Sequence, residues 1–585
     1  MPFSDRPPSE RAAAGGVSLL EGRDAHDRLA DPAFVEACTR VYEQCPWRSP
    51  NQHPAFVTAW YACYATQFDP LLVLRESADG QLTGLFTLAV DRRSGLPLVA
   101  GMPQVDYVGW VCDAASADAF ASDLMALLTQ RFAGASLRLR YLARGLPLGW
   151  MDAVDGSCGG VIREDFLRPV LALDDPEALR QVLRKRSNKS RYNRLKRMGE
   201  VEVLELRGRA ALEGWLDDIA TFCDLRQGAI NDSMPFLEDA NKREFHLRLA
   251  ETEGLLYTTV LMVGGQPAAA LVSLCARDSA AVSLFGISPF FAKHSPGKLL
   301  VYETGLRLAE AGYRELDLTP GGAWKERFAS SSDTVPMVDV YFSARAARMA
   351  RLRGSASRFV ATALRRCGIE PDRLRALVRG LERLSPGAVM RRLGRLGQWV
   401  AHTQESRVYR IDAGSVTPPA ADALMRVDEP ADLLAFTPRE TWQSCAAFLA
   451  DGIERLSLGE HLYSRVEDGL LVHYGWLADQ QASSFFPEIG ASYEYPAGSA
   501  VLYDFYTDPS ARGRGYYQRS LRQMIADAAA RPGVEHIYIS VRAENAPSRH
   551  VIEKAGFQYE ASLFRRTRFG RPTIREVRAA AEACG

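Results

Sequence analysis

An apolar run, Ala500 to Tyr506, and a segment with helical apolar spacing, Gln518 to Ala530 with Leu521, Met524 and Ile525 on one face, flank the stretch Thr507-Asp508-Pro509-Ser510-Ala511-Arg512-Gly513-Arg514-Gly515-Tyr516-Tyr517. A buried strand, a glycine-rich turn and a helix in that order constrain this chain more than any other feature. The two glycines let the backbone turn tightly and present successive N–H groups where a helix begins. Unpaired donors and partial positive charge converge there, and such a point binds a pyrophosphate. Further on, a second strand-like run, His536 to Val541, leads into Arg542-Ala543-Glu544-Asn545-Ala546-Pro547-Ser548 and then a helical segment ending in Glu553-Lys554-Ala555-Gly556-Phe557.

Together these two blocks resemble the GNAT superfamily of acyl-CoA-dependent N-acyltransferases, over roughly residues 401 to 585. The first block is similar to the family's Arg/Gln-x-x-Gly-x-Gly/Ala loop, the second to its Asn-containing strand-to-helix turn. The resemblance implies acetyl-CoA, or another acyl-CoA, as cofactor, lying between two splayed parallel strands and pairing with a strand backbone. By position, Phe505 and Thr507 would supply that backbone. Arg512, Gly513, Arg514 and Gly515, with Tyr516 and Tyr517 behind them, would wrap the pyrophosphate, and Asn545 and Ser548 would lie beside the pantetheine arm or serve simply as a helix cap. Two departures stand out: Tyr517 replaces the loop's final small residue, and Ile552 stands where the family often carries a Tyr that protonates the leaving thiolate.

Acyl transfer from a thioester to an amine needs a neutral amine, a stabilised oxyanion and a protonated thiolate. Tyr503, Asp504 and Tyr506 are the catalytic candidates on the first strand. Strict alternation would put Asp504 and Tyr506 on one face and Tyr503 with Phe505 on the other. Glu488 and His473 are weaker candidates, since a lone His in an alternating strand is usually structural.

At 585 residues the chain should divide into three or four domains. An apolar fraction of 47%, a charged fraction of 24% and a net charge of zero suit a globular protein and argue against a dedicated nucleic-acid binder. No apolar run is long enough to span a bilayer and no signal peptide opens the chain, so a cytoplasmic location is expected. The ten cysteines are scattered without Cys-x-x-Cys pairs or neighbouring histidines, which predicts reduced thiols and no metal site.

Residues 1–25, rich in Pro, Ser, Gly and charge, are expected to be disordered. Two hairpins are predicted beyond them, one about Asp79-Gly80 and one about Gly264-Gly265. The second is followed by Ala281 to Ile287, Ser295-Pro296-Gly297-Lys298, a helix-like Leu299 to Ala311 and Tyr313 to Leu318, so strand, glycine turn, helix and strand recur. The first 340 residues therefore read as two diverged copies of one architecture. Leu183 to Met198 forms a dense basic helix with positive charge on every side. With Ser295-Pro296-Gly297, Asp317-Leu318-Thr319-Pro320-Gly321 and Trp324-Lys325-Glu326-Arg327-Phe328, it resembles the CelD-like acetyltransferase-related family, kin to the FemAB aminoacyl transferases. That resemblance implies a tandem GNAT fold and an association with exopolysaccharide or cellulose synthesis. Ser295, Gly297, Lys298, Lys325 and Arg327 make a possible second site for an anionic donor or acceptor.

Residues 343–400 show apolar positions at helical spacing, Phe342, Met349, Leu352, Phe359 and Leu364, among many arginines. Docking on a neighbouring domain is favoured there over a membrane surface. The expected architecture is mixed α/β with three GNAT-like units: lobes 26–165 and 166–342 in tandem, a basic helical connector 343–400, and a GNAT domain 401–585. Acyl transfer from CoA to an amine-bearing small molecule or sugar is the expected activity, with polysaccharide-synthesis proteins as partners. Aminoacyl transfer from tRNA, or a non-catalytic acyl-CoA sensor or scaffold, are the alternatives.

Overall fold

A computed structural model of the chain describes residues 16–155, 159–322, 324–354, 401–416, 424–439, 443–568 and 571–579. They form two compact units. The first draws on Met1–Cys223, Pro235–Ile287 and His294–Gly368, the second on Asp224–Met234, Ser288–Lys293 and Ile369–Gly585.

Among the described residues the first unit contains two larger sheets and a short two-stranded one. Strands β1 (Val17–Glu21), β2 (Phe68–Glu76), β3 (Leu82–Asp91) and β4 (Pro97–Val99) pair in that order, and β6 (Val111–Cys112) also pairs with β3. β2 and β3 are the hairpin expected about Gly80, whose φ is +79°. Residues 16–25 depart from the expected disorder. β1 is laid antiparallel along β2 with Val17 opposite Arg75, and this pairing satisfies backbone groups that a free terminus would leave to water. Trp60, Trp110 and Trp150 are fully buried in this lobe.

The second sheet has eight strands, in the order β10 (Val201–Leu206), β11 (Leu256–Val263), β12 (Gln266–Ala276), β13 (Ser279–Ile287), β14 (Glu315–Asp317), β9 (Gly160–Ala172), β15 (Ser331–Tyr341) and β7 (Ser136–Leu139). The boundary expected at 165/166 falls inside β9, a single strand, and β7 from the preceding lobe completes the same sheet, so the two lobes share one sheet rather than meeting at a linker. The expected helix over 183–198 is likewise two helices, α2 (Pro176–Arg184) and α3 (Arg186–Lys196). Lys185, at φ −53° and ψ 141°, breaks the hydrogen-bond ladder between them.

Buried Arg168 ties this sheet together. It lies 2.9 Å from Asp317, 2.7 Å from Asp333 and 3.2 Å from Glu315, linking β9, β14 and β15. A guanidinium this deeply placed is stable only because three carboxylates surround it.

In the second unit the sheet order is β17 (Arg426–Val427), β18 (His461–Glu467), β19 (Leu470–Ala478), β22 (Ser499–Thr507), β23 (His536–Arg542), β16 (Ala401–Asp412), β24 (Gln558–Arg568) and β25 (Arg571–Arg578). A separate hairpin pairs β20 (Ser483–Phe486) with β21 (Ala491–Glu494). Because Asp224–Met234 and Ser288–Lys293 also belong to this unit, it is not the 401–585 segment alone.

One arrangement recurs. A strand, a helix and a parallel strand follow one another in β13, α4 (Pro296–Glu310) and β14, and in β22, α6 (Tyr516–Ala529) and β23; an interrupted version, with β6 before the helix and β7 after it, joins β5 (Tyr107–Val108), α1 (Ala117–Arg131) and β8 (Tyr141–Leu142). The fold is therefore mixed α/β with recurring units, as the sequence predicts. Among the described residues no helix is long and apolar enough to cross a membrane. Of the connector, residues 344–354 are helical, with Met349 and Leu352 exposed, and Phe342 just before the connector is buried; 355–400, including Phe359 and Leu364, lie outside the described residues.

Candidate functional site

The parallel pairing of β22 with β23 runs only from Ser499 opposite His536 to Leu502 opposite Ile539. Beyond it, Tyr503–Thr507 leave β23 while remaining paired with β19. The cause is local. Against β19, Tyr503 faces Trp476 and Tyr506 faces Tyr474, so Asp504 and Phe505 together oppose Gly475, and Asp504 adopts φ +49°. This is a β-bulge, which bends a strand out of its ladder. Gly475 makes room for it, since a Cβ there would lie 2.7 Å from the Phe505 ring.

The bulge corrects the alternation expected for these residues. Tyr503 and Tyr506 share one face, packed with Tyr474 and Trp476, while Phe505 turns to the other, edge-on to Tyr517 with ring centres 5.0 Å apart. The three catalytic candidates are all engaged. Asp504 pairs with Arg455 of α5 (Cys445–Leu458) at 2.6 Å, and Arg455 also lies 4.9 Å from the Tyr503 ring. The Tyr503 hydroxyl donates to Glu460. Tyr506 stacks on Tyr474. Arg455 and Glu460 lie more than forty residues upstream and carry no motif, so only the fold brings them here.

At the end of β22, buried Asp508 accepts from the Ser510 N–H at 2.9 Å and the Ser510 hydroxyl at 2.6 Å, fixing the turn. Gly513 and Gly515 follow at φ +80° and +78°, in the left-handed region where other residues are strained, and Gly515 is the N-cap of α6. A Cβ on either glycine would meet nothing within 4 Å. The first N–H of the helix with a main-chain acceptor is that of Arg519, on the Gly515 carbonyl at 3.1 Å; among the described residues the N–H groups of 513–518 have none. Arg512 and Arg514 are exposed, and Arg514 lies 3.8 Å from Glu467, which also accepts from Tyr516 at 2.7 Å. These residues fit a pyrophosphate: open space, free donors at a helix start and flanking cations. Leu521, Met524 and Ile525 anchor the helix, each buried under the sheet and contributing about 1.5–3 kcal/mol.

Asn545 caps α7 (Ala546–Lys554), accepting from the Ser548 N–H at 3.2 Å, and the Ser548 hydroxyl donates to the Tyr517 hydroxyl at 3.0 Å. Tyr517 thus spans from Phe505 to α7. Burial pushes its phenol up to about 12, with Ser548 pulling the other way, so it stays protonated at neutral pH. Ile552 is wholly buried in the core. Glu488 accepts from the Ser406 hydroxyl at 2.8 Å.

His473 of β19 is wholly buried, with Nδ1 2.8 Å from the Thr507 hydroxyl. Burial lowers its pKa to about 4. The unfolded chain binds a proton near the ordinary His value of about 6.5 that the folded chain refuses, so the stability is fully present above that pH and is lost as pH falls through 4. Urea titrations at pH 7 and pH 4.5 should show a loss on the order of 2–3 kcal/mol that His473→Gln reduces. An unchanged pH dependence in that variant would mean that other groups carry it.

The possible second site is built differently. Pairing of β13 with β14 spans Ser279–Ala281 and Glu315–Asp317. Past it, Trp324 stacks on Phe285 with ring centres 5.2 Å apart. Gly297 is buried, and a Cβ there would lie 2.5 Å from the Phe285 ring and 2.9 Å from Ile287. The Ser295-Pro296-Gly297 turn therefore packs on side chains instead of opening to a ligand; its glycine serves close packing. Lys325 donates to the Thr319 hydroxyl at 2.7 Å and the Thr319 carbonyl at 3.1 Å. Lys298 and Arg327 line a common cavity that Ser295, Gly297 and Lys325 do not reach.

Residues 183–328 match the model of an acetyltransferase (GNAT) domain, and residues 431–557 that of the acetyltransferase (GNAT) family. No curated protein sequence matches the chain. Among solved structures, the C-terminal domain of a putative lysylphosphatidylglycerol synthetase from Agrobacterium fabrum aligns at 13% identity and a TM-score of 0.36, over 55% of this chain and 95% of that one. FemX aligns at 11% identity and 0.38, over 52% and 95%. A tandem GNAT protein from the clavulanic acid biosynthesis pathway aligns at 14% and 0.19, over 66% and 100%. The chain carries two GNAT acetyltransferase domains, one over residues 183–328 and one over residues 431–557.

Proposed function

We propose that the chain transfers an acyl group, most simply acetyl, from acyl-CoA to an amine, and that the donor is held by the C-terminal domain. The observation that carries this reading is the loop 513–518, with left-handed glycines, open space beside them and N–H groups unpaired among the described residues, beside strands that stop pairing after Leu502 and Ile539. When bound, acyl-CoA supplies an activated thioester. Arg512, Gly513, Arg514 and Gly515 would hold its pyrophosphate, and the backbone of Tyr503–Thr507, released from β23 by the bulge, would accept the pantetheine arm as an added strand. With Ile552 in the core, Tyr517 is the protonated phenol beside that path. The Arg455, Asp504 and Glu460 group on the opposite face of β22 offers charge to orient an amine acceptor. An amino sugar or its nucleotide-linked precursor in polysaccharide synthesis is the acceptor suggested by the CelD-like resemblance.

The test is thiol release from acetyl-CoA over a panel of amines, including amino sugars. Amine-dependent release supports transfer, whereas tight CoA binding without turnover would leave a sensor or scaffold. A second reading, aminoacyl transfer from tRNA, is favoured by the exposed Arg186, Lys189, Arg194 and Lys196 around α3 and predicts salt-sensitive retention of tRNA.

A further inference from the structure

The first unit holds a cavity of about 530 Å3 that the donor reading does not use, within the usual size of small-ligand sites, about 300–1,000 Å3. Its cations come from separate parts of the chain. Lys185 stands at the break between α2 and α3, Lys298 lies in the first turn of α4, and Arg327 sits on the short 3-10 turn after β14. Arg191 backs them. Its guanidinium donates to Asn188, a buried cavity-lining residue, at 3.1 Å, and its Nε is buried without a partner among the described residues.

Two acids also line the cavity: Asp174, which pairs with Arg314, and Asp175, which caps α2 by accepting from the Ala178 N–H; of the acids nearby, Glu177 pairs with Arg184 and Arg180, and Glu310 with Arg180. Burial pushes the Lys298 ammonium below its usual value, and Arg191, Arg327 and Lys185 push the same way. Like charges held together in a partly desolvated cavity are costly unless an anion joins them. The start of α3 also lines the cavity through Ser187 and Asn188, and its N-cap, Lys185, makes no side-chain cap, so helix N–H groups add to the positive field. Tyr302, Phe328 and Leu179 provide an apolar wall beside the cations.

We infer that this cavity binds the phosphates of a nucleotide-bearing small molecule, with Lys185, Lys298 and Arg327 on the phosphates and the Tyr302 side taking the less polar part. Several convergent cations and a helix N-terminus suit a diphosphate better than a single carboxylate. Coenzyme A and a nucleotide-linked acceptor share that chemistry. The site depends on none of the residues assigned to the C-terminal donor loop, so the two can fail separately.

Titration calorimetry on the full chain carrying Gly515→Glu, which silences the C-terminal loop, tests it with inorganic pyrophosphate, CoA and UDP as probes. Pyrophosphate should still bind, and the double change Lys298→Gln and Arg327→Gln should weaken it at least tenfold with the circular dichroism spectrum unchanged. Tighter binding of CoA than UDP, or the reverse, identifies the source of the phosphates. Absence of binding by all three probes, equal affinity in the double variant, or dependence on Lys298 and Arg327 for tRNA alone would overturn the inference. Should the double variant not fold, Lys185→Gln alone, at an exposed position, provides the same comparison.

Discussion

Gly515→Glu is expected to weaken acetyl-CoA binding by more than tenfold, that is by more than about 1.4 kcal/mol, while the protein stays folded. The geometry separates the two effects. A side chain at Gly515 meets nothing within 4 Å, so its structural cost is the left-handed backbone alone, about 1–2 kcal/mol. A carboxylate there projects beside Arg512 and Arg514 into the space a pyrophosphate would occupy and repels it. Gly515→Ala carries the same backbone strain without the charge and should lose less affinity. Calorimetry with acetyl-CoA on the three proteins decides; unchanged affinity in a folded Gly515→Glu protein would remove this loop as the donor site.

Gly297→Glu should behave in the opposite manner. Its Cβ would stand 2.5 Å from the Phe285 ring, which is held by the stacked Trp324, and its carboxylate would be buried among apolar side chains. Overpacking and an unpaired buried charge together should cost at least about 3 kcal/mol, a large share of an ordinary domain's stability. Thermal unfolding by circular dichroism should show an early transition or an insoluble protein. A variant as stable as the parent, with only CoA binding lost, would mean that the Ser295 turn is a ligand loop after all.

The contrast between these glycines explains how much the sequence could convey. Both follow a strand and precede a helix, and by spacing they look alike. The C-terminal crossover was legible because its second glycine, its paired arginines and the Asn545 turn recur together, and because Leu521, Met524 and Ile525 mark the buried face of α6. The roles of Gly297 and Gly475 were not, because each is set by an aromatic ring that arrives from elsewhere in the fold. The same reason hid the faces of Tyr503, Asp504 and Tyr506. Alternation holds only in an unbroken strand, and the bulge opposite Gly475 adds a residue that no local pattern announces. Arg168 and its three carboxylates were invisible for a further reason: the partners are about 150 residues away in the chain and meet only when β9, β14 and β15 assemble. The basic stretch 183–198 was recognisable by composition, but its division at Lys185, which turns one side of it into a cavity wall, was not.

Amide hydrogen exchange with and without saturating acetyl-CoA tests the central claim most directly. The N–H groups of 513–518 have no acceptor among the described residues and should exchange rapidly in the free protein. Acetyl-CoA should slow exchange there and along 503–507. No change at 513–518 under saturation, or protection confined to 295–298, would contradict the assignment of the C-terminal loop as the donor site.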